Sequence, residues 1–139
     1  ILETCAVGSK EGTVKFNMPI EFGSENMFSF VENGVGKRND IKFVSREVKI
    51  KTLRALFQKH SINEVFLLSI DVEGAELDAL KGIDFDKVLI RCICVENNTT
   101  SYYGSNDIRE FLSKENYTFY ARIGHLDDIF IHNSMIRGE

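Results

Sequence analysis

Residues Val65–Gly82 read VFLLSIDVEGAELDALKG, and the fold turns on this stretch. Val65 to Ile70 is apolar apart from Ser69, the pattern of a strand covered on both faces, as in a parallel sheet under helices. The run stops at Asp71, and two more carboxylates, Glu73 and Glu76, follow within one turn. Gly74 frees the backbone there. Ala75, Leu77 and Leu80 then place apolar groups on one side of a short helix, closed by Lys81-Gly82 as a last-turn cation and a C′ glycine. The unit is strand, acidic turn, helix. In an open α/β sheet ligands bind beyond the carboxyl ends of strands, where these acids fall.

Working outward, KTLRALF (51–57) predicts a helix capped by Thr52, with Leu53, Leu56 and Phe57 at i, i+3 and i+4. Ile41–Ile50 is a strand with charged edges. On the other side VLIRCICV (88–95) is a second buried strand, and it too ends in an acid, Glu96, before NNTTS. Ser105 caps a helix carrying Ile108, Phe111 and Leu112. Tyr117–Ile123 and Asp128–His132 form an antiparallel hairpin around Gly124-His125-Leu126-Asp127. At the start, Ile1–Val7 is a strand and TVKFN another. Met18–Asn39 has no period, and its length marks a lid or binding loop. Gly34-Val35-Gly36 lacks the third glycine and the leading strand of a nucleotide fingerprint, so it is a turn. Strands and helices in this alternation imply right-handed crossovers and a mostly parallel sheet.

The chain of 139 residues, 43% hydrophobic and 27% charged, has the composition of one globular domain. A net charge of −4 and the lack of a basic stripe argue against nucleic acid as partner. No apolar run approaches the ~20 residues of a membrane span. Because the sequence opens on Ile1, an upstream targeting segment stays open. Cys92 and Cys94 sit two apart on one strand, so with Cys5 they are reduced core thiols, which favours a cytoplasmic setting. Sequons at Asn97, Asn98 and Asn116 matter only if the chain enters the secretory path. His60 ends a helix, where a cation suits the dipole. His125 and His132 lack metal-ligand spacing.

SIDVEGAELDALKGIDF (69–85) resembles the signature of FkbM-type methyltransferases: a buried strand, D-x-E-G-x-E, and a short helix ending in K-G. AVGSKEGTVKF, the KTLRALF helix, the VLIRCICVEN strand and the helix-plus-hairpin ending agree with it over nearly the whole chain. The resemblance implies an α/β fold, a Rossmann-like class I methyltransferase sheet, mostly parallel with a C-terminal antiparallel hairpin. It implies transfer of a methyl group from S-adenosylmethionine to a hydroxyl oxygen of a sugar, lipid or small metabolite. Asp71 is the first candidate to accept the hydroxyl proton, or to bind a metal that does so, with Glu73 and Glu96 behind it. Glu73 and Glu76 also stand where acids complement a helix N-terminus, and Glu76 completes a capping box. By the same resemblance Ala6, Val7 and Asp71 face the cofactor, and no metal ligand set is implied; just past Glu96, Asn97, Tyr102 and Tyr103 are the candidates to line an acceptor pocket, the two tyrosines being otherwise exposed loop aromatics.

The family's glycine-rich D-x-G-x-x-x-G loop and its ribose-binding acid are absent from these residues. The expectation is a partial domain over residues 1–139 that lacks the first two strands, is inactive alone, and leaves an apolar edge on the strand at 65–70. Two other readings stand beside the enzyme: a non-catalytic interaction module keeping the second half of the fold, and a metal-dependent hydrolase built on Asp71, Glu73 and Glu96.

Overall fold

A computed structural model describes residues 1–20, 30–31, 42–98 and 104–136. They form a mixed α/β structure whose contacts divide into two compact units that interleave along the chain, residues 1–56 with 72–83 and residues 57–71 with 84–139.

The first unit holds β1 (Ala6–Val7), β2 (Gly12–Pro19), β3 (Phe30–Val31) and β4 (Phe43–Lys51), in the spatial order β1-β4-β2-β3. β2 and β4 pair antiparallel from Gly12↔Ile50 to Pro19↔Phe43, and β1 lies parallel to β4. Helix α1 (Leu53–Lys59) follows, its first turn capped by Thr52 Oγ1, which accepts from the Ala55 amide at 3.1 Å. β3 falls inside the stretch expected to be a loop, pairing with Phe16 and Asn17 of β2. The Gly34-Val35-Gly36 turn lies outside the described residues.

The second unit holds β5 (Glu64–Ile70), β6 (Leu89–Glu96), β7 (Tyr117–Ile123) and β8 (Asp127–His132), ordered β5-β6-β8-β7, with α3 (Asn106–Lys114) and a closing turn α4 (Asn133–Ile136). As expected, β5 and β6 are adjacent and parallel, and the hairpin joins through β8. Ser105 caps α3, its hydroxyl accepting from the Asp107 amide at 3.1 Å. The core of this unit comprises Ile70, Ile90, Ile93, Val95, Ile108, Leu112, Tyr117 and Phe130, each almost wholly buried. Burial pushes the Tyr117 phenol up to about 12, against the pull of its bond to the Ile90 carbonyl at 2.8 Å.

Two expectations are corrected. The sheets are not mostly parallel: of the six described strand pairings, only β1–β4 and β5–β6 are parallel. The reason lies in β2 and β4, whose charged residues alternate with half-buried Val14, Phe16, Val48 and Ile50. That is the signature of antiparallel strands with one wet face. Nor is β5 covered on both faces. It is an edge strand, and Phe66 and Leu67 are 77% and 54% exposed. An apolar edge of that kind is a template for further pairing.

Between β5 and β6 in sequence, α2 (Glu76–Lys81) belongs to the first unit. Gly82 ends it with φ −82° and ψ 1°, so it is not a left-handed C′ glycine. Its role is close approach: a Cβ there would sit 2.2 Å from the Gly8 carbonyl oxygen. Ser9 completes this contact, donating from its amide and hydroxyl to the Asp78 carboxylate at 3.0 and 2.6 Å. Gly82→Ala is therefore expected to destabilise the chain by about 1–3 kcal/mol through overpacking. Urea unfolding measures it, and an unchanged midpoint would refute the backbone contact.

Candidate functional site

In the second unit the parallel register ends at Ile70↔Val95, so the next residues on each strand, Asp71 and Glu96, emerge side by side. A carboxylate oxygen of one lies within 4.8 Å of a carboxylate oxygen of the other. Asp71 is exposed and Glu96 half-buried. Across the other side of β6, Glu96 pairs with Asp127, the first residue of β8. Strand alternation places Asp71, Glu96 and Asp127 on one face, at one end of the sheet. Facing carboxylates repel, by no more than roughly 3 kcal/mol at this separation and less where water screens Asp71. Such a row of acids favours a positively charged neighbour.

The opposite face at this end is built around Asp128, which is fully buried. Arg109 donates from Nε to Oδ2 at 2.8 Å and from Nη2 to Oδ1 at 3.1 Å, and Arg122 donates from Nη1 to Oδ1 at 2.7 Å. Asn97 donates from Nδ2 to Oδ2 at 2.8 Å. Burial pushes the Asp128 carboxyl up, but the bonds from Arg109, Asn97 and Arg122 together outweigh it and hold the group below the usual carboxylate range. Arg109 also lies 4.4 Å from the centre of the Phe119 ring, and Phe119 meets Phe130 edge-on at 5.8 Å.

Glu73 and Gly74, in the first unit, both take left-handed backbone angles, φ 52° and 96°. Glu76 is buried and turns back, its Oε1 accepting from the amides of Val72 at 3.1 Å and Gly74 at 2.9 Å. It thus satisfies turn amides ahead of α2, as a structural acid does, with a pattern other than the capping box. Ala6 and Val7 are half-buried in β1, parallel to β4. Tyr102 and Tyr103 lie outside the described residues. Asn97 is 3% exposed and faces inward toward Asp128. Cys5, Cys92 and Cys94 are free thiols, and burial raises the last two, Cys94 further by Asp127.

Asp127 and Asp128 escaped the sequence reading. Their signal was the doubled acid opening an apolar strand, since alternation must send one to each face.

The family model of the methyltransferase FkbM domain matches residues 1–119. The chain belongs to the FkbM methyltransferase family. Searches of curated proteins and of solved structures found no match. No helix among the described residues is long and apolar enough to cross a membrane.

The Asp128 carboxyl sits lower when folded than when unfolded. Its contribution to stability is therefore complete above the unfolded value, near pH 4, and lost as pH falls through the folded value. Asp128→Asn is expected to cost about 3–5 kcal/mol at neutral pH, because two guanidinium groups lose their counter-charge. It should also flatten the acid limb of a stability-versus-pH curve below about pH 4. Chemical denaturation at stepped pH measures both.

Proposed function

We propose that this chain supplies the acceptor side of an S-adenosylmethionine-dependent O-methyltransferase with a Rossmann-like class I sheet. The observation that carries the reading is the Asp71–Glu96 pair, within 4.8 Å at the ends of adjacent parallel strands. When bound, the donor supplies an electrophilic methyl group on a sulfonium, a cation that the acid row suits. Such a donor would pass its methyl group to a hydroxyl oxygen and keep the C–S electron pair on sulfur. The hydroxyl proton must leave. Asp71, the more exposed acid, is the group that accepts it in this reading, with Glu96 beside it. The acceptor classes in keeping with a water-facing carboxylate are a sugar, a lipid headgroup or a small hydroxylated metabolite.

Glu73 has a weaker claim, since its left-handed backbone fits the turn as much as catalysis. These 139 residues carry no glycine-rich loop to cradle the donor's carboxypropyl end at a helix N-terminus. On their own they are expected to bind S-adenosylmethionine negligibly in calorimetric titration, and micromolar binding would overturn that part of the reading. In the protein as the cell makes it, Asp71→Asn should lower methyl transfer to a hydroxyl acceptor by about 100-fold or more, the scale of a lost proton acceptor. Donor affinity should change little. Equal losses in transfer and donor affinity would give Asp71 a binding role instead.

The interaction-module reading has one observation in its favour, the exposed Phe66 and Leu67 on the β5 edge. Methyl transfer that disappears with Asp71→Asn would exclude a purely non-catalytic module.

A further inference from the structure

Asn97 follows Glu96 directly, and every polar group it has is engaged. Its amide donates to the Leu126 carbonyl at 2.8 Å. Its carbonyl accepts from Arg122 Nη2 at 3.1 Å. Nδ2 donates to the Ser105 carbonyl at 2.9 Å as well as to Asp128, and Oδ1 accepts from the Ser105 amide at 2.9 Å. The side chain thus bonds Ser105 in both directions, as a neighbouring strand would. Arg122 spends its remaining reach on the His125 carbonyl, 2.6 Å from Nη2. Gly104 shows how tightly the cluster closes. It has φ 75°, and a Cβ there would lie 2.7 Å from Arg122 Nη1 and 2.9 Å from Asn97 Nδ2.

This arrangement lies one peptide bond from a carboxylate with an acid on each side. Repulsion along Asp71, Glu96 and Asp127 favours splaying of the strand ends, and Asp71 sits exposed beyond the end of its strand. The β5–β6 and β6–β8 ladders oppose this, and a further restraint stands on the Glu96 side. There the two guanidinium groups on Asp128, and the bonds they support, hold Asn97 to the β7–β8 turn and to the start of α3.

We infer that Asn97, held by Arg122 and Asp128, is the positioning residue that keeps Glu96 beside Asp71. This gives Asn97 a task other than contact with the acceptor, and Arg122 and Asp128 lie beyond the residues that the family model matches. The inference rests on the proposed acceptor site for its catalytic meaning, and on geometry alone for its structural content.

The test is a double-mutant cycle read on Glu96, by following its side-chain carboxyl carbon by NMR as pH is varied. With Asn97 intact, Asp71→Asn removes a neighbouring negative charge and is expected to lower the Glu96 midpoint by about half a pH unit or more. In an Asn97→Ala background the same substitution should move it by less than about a third of that. Full coupling in folded Asn97→Ala protein overturns the inference. Should Asn97→Ala fail to fold, Arg122→Lys decides, because lysine keeps the charge on Asp128 and loses the forked reach to the Asn97 and His125 carbonyls. Coupling reduced to about half is then expected, and undiminished coupling again overturns it. A merely structural role would lower the melting temperature and leave the coupling intact. The readout needs no turnover, so coupling that depends on Asn97 without any methyl transfer would defeat the proposed reaction alone.

Discussion

The second unit depends on one buried carboxylate. Asp128 has no contact with water and faces two guanidinium groups, so its charge is kept only while both stay in place. Such a group gives little net stability compared with a well-packed apolar residue, because desolvation offsets most of the attraction. What it gives is direction. Arg109 comes from α3, Arg122 from β7 and Asn97 from the end of β6, and all three converge on one side chain. An apolar residue at 128 could fill the space without specifying which loop ends meet there. The arrangement is not fully satisfied, since Arg122 Nε is buried without a partner among the described residues.

The two faces of the sheet end show how the same chemistry serves opposite purposes. On one, the carboxylates of Asp71, Glu96 and Asp127 stand together at the strand ends. On the other, a carboxylate is overcompensated by cations and held ionised. β6 and β8 carry both sets on alternate residues, Glu96 and Asp127 to one side, Asn97 and Asp128 to the other. The clustered acids and the ion-paired one are therefore separated by one residue of sequence and the thickness of a sheet.

Much of this was legible beforehand. The apolar runs at 65–70 and 88–95, each stopped by an acid, located the parallel pair and the juxtaposition of Asp71 with Glu96. Thr52 and Ser105 announced their helices because capping is a local interaction. Three things were not legible. The antiparallel ladder of β2 and β4 was hidden because its alternation is spread over strands separated by residues without a period. Gly82 looked like a helix terminator, when its need is the Gly8 carbonyl in a distant strand turn. Asp128 looked like any charged residue in a hairpin, since its partners at 97, 109 and 122 come together only in space. Local signals travelled and long-range pairing did not.

The doubled acid at the start of β8 has a consequence for how the hairpin can vary in length. A single residue gained in the turn at 124–126 and taken up by the strand would slide β8 by one place against β7 and β6. Asp127 would then take the position of Asp128, acid for acid, and the ion cluster would find a carboxylate waiting. The rest of the strand would not forgive the slip, because Phe130 would leave the core and Ile129 would enter it. Surface turns ordinarily accept such changes freely. Here the register matters: an insertion of one satisfies the charges and inverts the core, while an insertion of two keeps each face but brings Leu126 to the place of Asp128.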